Sequence, residues 1–167
     1  MSGGAMEREA AIEAVKAFRC PRYEEIPAID LYLAQVLTLT NTALAPVLSE
    51  DITGAMISNY VKNKAVPAPV MKKYGRDHVV HLIVTCMLKN VFTVQQIATF
   101  FSIQEQTYPL NVAYNFFCQE YENAIDAAFN FTGEALPCIE TKRTEQTKLV
   151  RAAVLAATNR VYAEKTY

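Results

Sequence analysis

The chain carries no catalytic signature: no GxSxG elbow, no phosphate-binding glycine loop, no HExxH pair and no dinucleotide fingerprint. An enzyme is therefore not expected. Four cysteines, Cys20, Cys86, Cys118 and Cys138, form no CxxC pair and no short regular spacing, which argues against a disulfide scaffold and leaves no cysteine set for a metal. They read as reduced thiols, Cys86 and Cys118 as small core residues in apolar stretches. Long hydrophobic runs are also missing. The most apolar stretch, Val79–Leu88, is ten residues long and contains His81 and Thr85, about half of what a bilayer span needs. The first six residues lead straight into Glu7, Arg8 and Glu9, so neither a secretion segment nor a membrane partner is expected. The expectation is a soluble, cytoplasmic protein without a cofactor.

What is present is globular. The 167 residues are 51% hydrophobic and 20% charged, which suits one domain or a small domain with a helical extension. Only five glycines and seven prolines occur, and they punctuate a helical pattern. An amphipathic helix over 7–19, free to move, is followed by a connector between Pro21 and Pro27. A helix is predicted over 29–44, ending before Pro46, with Asp30 near its positive end. Thr53 then caps a helix over 53–63, with Ile52 and Ile57 placed to form a hydrophobic staple. Val66-Pro67-Ala68-Pro69-Val70 must be extended. A helix from about Asp77 to Lys89 is apolar nearly all round and so buried. Phe92-Thr93-Val94-Gln95-Gln96-Ile97 is a capping box with Phe92 set to pack on Ile97. Tyr114, Phe117, Cys118, Tyr121, Ile125 and Phe129 make an aromatic stripe on a helix over 109–131, broken by Gly133 and Pro137, and a last helix covers 144–162. Strand signals are confined to the proline-rich connector. The domain reading is an N-terminal helix (1–20), a helix-turn-helix unit (21–104) and a helical C-terminal extension (105–167) serving core and homodimer formation.

Net charge is −1, but its distribution is uneven. Residues 1–51 are net −4, residues 52–90 net +5 and residues 91–167 net −2. Between Asp51 and Asp77 there is no carboxylate, while Lys62, Lys64, Lys72, Lys73 and Arg76 all fall there. On the helix over 53–63, Ala55, Ser58, Asn59 and Lys62 share one face, opposite Ile57, Tyr60 and Val61. Short polar groups can approach base edges in a major groove while Lys neutralises phosphate. The proline-stiffened loop returns with Met71-Lys72-Lys73-Tyr74, offering two ammonium groups and a phenol to the adjacent backbone of a duplex. The plainer reading is a solvated polar face. His78 and His81, three residues apart on the buried helix, read as hydrogen-bonded core histidines rather than metal ligands. Glu120 and Glu122 cannot face each other on a helix and make no catalytic pair.

Ile52-Thr53, Ile57-Ser58-Asn59-Tyr60, Val66-Pro67-x-Pro69, Lys73-Tyr74-x-Arg76 and Phe92-Thr93-Val94-x-x-Ile97 together resemble the winged helix-turn-helix of MerR-type transcriptional regulators. More closely, the stretch from Pro21 to Tyr32, Pro-Arg-Tyr-Glu-Glu-Ile-Pro-Ala-Ile-Asp-Leu-Tyr, followed by Ile57 to Asn63, is similar to a bacterial family known only as a domain of unknown function (DUF1836), over about residues 20–125. The MerR likeness implies an all-α fold with a short proline-containing wing and additional C-terminal helices. It implies double-stranded DNA as partner, with Ser58, Asn59 and Lys62 on the recognition helix and Lys72, Lys73, Tyr74 and Arg76 at the wing and its return. Lys64 joins the phosphate anchors. The departures are a longer first helix with Pro46 in place of a glycine turn, Asn59 where a basic residue is common, no metal-sensing cysteines and no long heptad helix. Inducer chemistry of the MerR kind is thus not implied. The expected role is a DNA-binding transcriptional regulator whose small-molecule effector, if any, is unknown. Rival readings are a helical protein-interaction module and a small-molecule sensor with its pocket under the aromatic helix.

Overall fold

The computed structural model describes residues 2–130 and 144–167. Gly133, Pro137 and Cys138 lie outside the described residues. Seven helices account for most of them: α1 (Ser2–Lys16), α2 (Leu33–Leu44), α3 (Gly54–Lys62), α4 (Arg76–Leu88), α5 (Val94–Glu105), α6 (Leu110–Phe129) and α7 (Glu145–Thr166). Two-residue strands β1 (Leu31–Tyr32) and β2 (Lys73–Tyr74) pair antiparallel, and single 3-10 turns occupy Tyr23–Glu25 and Ala45–Val47. The fold class is all-α, as composition and periodicity imply.

Helix starts follow their caps. Thr53 Oγ1 accepts from Met56 N at 3.3 Å. Thr93 Oγ1 accepts from Gln96 N at 3.1 Å while Gln96 Oε1 accepts from Thr93 N at 2.9 Å. Each cap satisfies donors that the first turn leaves unpaired, worth about 1 kcal/mol. Ile52 and Ile57 are both buried. Phe92 meets Phe100 edge-on at 5.0 Å, one turn further along α5 than the expected partner Ile97.

α4 is the central helix: Val79, Val80, His81, Leu82 and Ile83 are all buried, as its all-round hydrophobicity requires. α6 and α7 pack on each other and on α4. Tyr114, Phe117, Cys118, Tyr121, Ile125 and Phe129 are buried along α6, with Phe129 edge-on to Tyr162 of α7 at 5.2 Å. The aromatic stripe is core of the chain itself. α1 is anchored at its end, where Val15 and Phe18 are buried and Phe18 meets Tyr121 at 5.9 Å.

The helix predicted over 29–44 begins only at Leu33. Leu31 pairs with Tyr74 and Tyr32 with Lys73, so β1 turns Leu31 into the core and Tyr32 to solvent. The competing interaction is forty residues away in sequence, and local periodicity does not register it. Asp30 stands by a different helix than expected: its Oδ1 would lie 3.3 Å from a Cβ placed on Gly75, the residue preceding α4.

Candidate nucleic-acid interface

α3 is short because its last turn closes sharply. Lys64 N donates to Val61 O and Ala65 N to Tyr60 O, both at 3.0 Å, with Lys64 at φ 64°. This is a Schellman end whose left-handed position, usually glycine, holds lysine. It buries Ala65 against the core and points the chain into the proline-rich connector.

The connector is clipped to α4 by the two histidines. His78 Nε2 lies 2.9 Å from Ala68 O, and its Nδ1 accepts from Gly75 N at 3.0 Å. His81 Nδ1 lies 3.1 Å from Ala65 O, and its ring stacks on Phe101 at 4.0 Å. Because a carbonyl only accepts, both rings must donate to it, which sets their tautomers. Burial pushes the His81 imidazole below its ordinary value.

Beyond the connector the chain forms a tight hairpin. Val70 N donates to Lys73 O and Lys73 N to Val70 O, each at 3.0 Å. Met71 at φ 50° and Lys72 at φ 63° make the two-residue connection a type I′ turn, which asparagine and glycine normally occupy. Left-handed backbone costs an ordinary residue about 1 kcal/mol or more. Among the described residues, all non-glycine positions with positive φ fall in this one segment: Lys64, Met71 and Lys72.

Ser58, Asn59, Lys62, Lys64 and Lys72 are exposed. Ser58 Oγ donates to Gly54 O at 3.1 Å, leaving its oxygen lone pairs outward. Asn59 Oδ1 accepts from Asn63 Nδ2 at 3.0 Å, and Asn63 Oδ1 accepts from Gln95 Nε2 at 3.0 Å. That network ties the polar face of α3 to the start of α5 and fixes the Asn59 amide. Lys73 is half-buried, its ammonium 5.3 Å over the ring of exposed Tyr32. None of Lys62, Lys64, Lys72 and Lys73 makes an ion pair among the described residues. α3 and β2 both pack on α4, so one helix carries the polar face and the hairpin.

Two expected site residues sit differently. Tyr74 is 9% exposed and meets His78 edge-on at 5.8 Å; β-pairing with Leu31 turns its ring into the core, not toward a duplex. Arg76 Nε donates to Ile26 O at 2.9 Å, and its guanidinium lies 5.1 Å over Tyr23. It braces the turn at Tyr23–Glu25 against α4. Asn63, Gln95 and Tyr32 join the surface without having been singled out by sequence. Asn63 and Gln95 carry no local signal for their contact, since it crosses thirty-two residues; Tyr32 became legible only with the strand pairing.

The family model described as a domain of unknown function (DUF1836) matches residues 21–117. That is more than half of the chain, and the chain belongs to this family. The match takes in the hairpin, α3, α4 and α5. No curated protein and no solved structure matches the chain.

Proposed function

We propose that this protein binds duplex DNA in a sequence-specific manner and acts as a transcriptional regulator. In this reading α2, the Ala45–Thr53 turn and α3 form the helix-turn-helix, the Val70–Lys73 hairpin is the wing, and β1 adds a third extended segment beside it. The single observation that carries it is the unneutralised charge: Lys62 and Lys64 at the end of α3 and Lys72 and Lys73 on the hairpin, both elements resting on α4, have no carboxylate partner among the described residues. Ammonium groups free of carboxylate partners, on the elements beside Ser58 and Asn59, suit phosphate anchoring beside base contact. Backbone strain gathered at Lys64, Met71 and Lys72 supports it, since such strain is characteristic of functional segments. Ser58 and Asn59 supply readout; Lys62, Lys64, Lys72 and Lys73 hold phosphates. Arg76 and Tyr74 serve by holding the hairpin's base.

The test is fluorescence anisotropy on selected duplexes with a salt titration. Log affinity should fall with log salt by about 0.9 per phosphate contacted, for about four to six phosphates per chain. A palindrome enriched from random duplexes is the outcome expected of a homodimer, whose half-sites lie about one helical turn apart. Duplex binding with no salt dependence, or none at low salt, refutes the reading.

One observation favours a second reading, a protein-interaction surface. The hairpin also displays Val70 and Met71, 68% and 89% exposed, beside Tyr32 at 58%. A partner docked there would depend on Met71 and Tyr32 and little on salt.

A further inference from the structure

Between α4, α5, α6 and α7 lies a cavity of about 490 Å³, a volume typical of small-molecule sites. Its walls are hydrocarbon and aromatic, with Val84, Phe101, Phe117 and Val150 on four different helices. None of the described residues lining it is charged. An ionic guest would be stripped of water there with no counter-charge, so the lining selects against it. One polar feature stands out on the wall. Gln104 Nε2 donates to Tyr108 O at 2.7 Å, an orientation fixed by the carbonyl's inability to donate. Its Oε1 is then left buried with no hydrogen-bond partner among the described residues. No water-sized group reaches that oxygen as it stands, so it meets a guest only when the Gln104 side chain turns into the cavity, where a donor would satisfy it.

We propose that this cavity binds a neutral, largely aromatic small molecule that brings one N–H or O–H to Gln104 Oε1. Phe101 gives the site a route outward. Its ring forms part of the wall and also stacks at 4.0 Å on His81, whose Nδ1 meets Ala65 O just past α3. A guest that displaces Phe101 therefore bears on the segment that positions α3. This last step rests on the DNA reading; the binding itself does not.

The experiment uses the full chain and two dyes on one skeleton. N-phenyl-1-naphthylamine is neutral with a single N–H, and 8-anilino-1-naphthalenesulfonate adds an anionic sulfonate. The neutral dye should bind saturably, one per chain, about tenfold or more tighter than the sulfonate. Val84→Phe and Val150→Phe, which add bulk to the cavity from α4 and α7, should each lower its affinity about tenfold, and Gln104→Leu several-fold. Absence of saturable binding by the neutral dye, or equal affinity for both dyes, overturns the proposal; this comparison needs no variant and so survives any that fails to fold. Neutral-dye binding unchanged in folded Val84→Phe or Val150→Phe also overturns it. Added to the duplex titration, the neutral dye should shift duplex affinity; an unchanged affinity removes the coupling and leaves the pocket. Absence of duplex binding by the dye-free protein, with dye binding intact, refutes the DNA reading alone.

Discussion

Arg22 and Lys72 are cations of one small helical protein, and their surroundings are opposite. Arg22 grips Glu122 with both arms, Nη1 to Oε2 at 2.6 Å and Nη2 to Oε1 at 2.9 Å, and adds a bond to Cys20 O at 2.9 Å. Glu122 Oε2 also accepts from Cys20 N. Through this fork the segment after α1 is fastened to α6. Hydrogen bonding to Glu122 raises the Arg22 guanidinium above its ordinary value. Nearby, Arg19 forms a second fork on Glu25 and holds that exposed carboxyl down to about 2. Lys72 has no such partner and sits on a strained turn. Arg22 and Arg19 serve the fold through carboxylates held in planar forks. Where lysines stand alone on costly backbone, the fold gains nothing from their charge, and a function outside the fold is the better account of them.

Reversing charge at the two places should separate these roles. Lys72→Glu with Lys73→Glu is expected to weaken duplex binding on the order of 100-fold at physiological salt while changing unfolding stability by less than about 0.5 kcal/mol, read by anisotropy and urea denaturation. Full duplex affinity in this double variant would break the comparison. Arg22→Ala should do the reverse, costing about 2 kcal/mol in urea denaturation because a mostly buried carboxylate loses its partner, with the salt slope of duplex binding intact. A smaller effect is expected at the end of α3: Lys64→Gly should stabilise by about 1 kcal/mol, since glycine accepts positive φ freely, and lower the salt slope by about one contact. The smallest concerns His81. Its folded-state value is lowered by burial, so the unfolded chain takes up a proton that the folded one resists. Stability is then full above the ordinary imidazole value near 6.5 and declines as pH falls below it through the folded value. Thermal midpoints measured from pH 8 to pH 5 should show this decline, and His81→Gln should flatten it.

Helix content was legible because it is written locally: a threonine three residues before its partner, apolar groups every three or four positions, and prolines that forbid continuation. Thr53, Thr93 and the stripe on α6 stand where those patterns require. The clip of His78 and His81 onto Ala68 and Ala65 was legible only in outline, as polar groups on a buried helix needing partners. Tyr74 and Arg76 were harder. Both lie in a basic stretch of sequence, and only pairing of Tyr74 with Leu31 and contact of Arg76 with Ile26 and Tyr23 reveal that they face inward. Lys89, another cation of that stretch, is drawn off to Glu50 at 3.4 Å.

Sequence by itself determined the all-α class, the helix starts, the extended connector and the stretch of chain without carboxylates, because each depends on residues within a turn or two of one another. Tertiary structure decided which of the cations remain free, which way Tyr74 and Asp30 face, and which parts of the chain cover the aromatic stripe. Those outcomes turn on partners tens of residues distant, and a charge or a ring is functional surface only if no such partner claims it first.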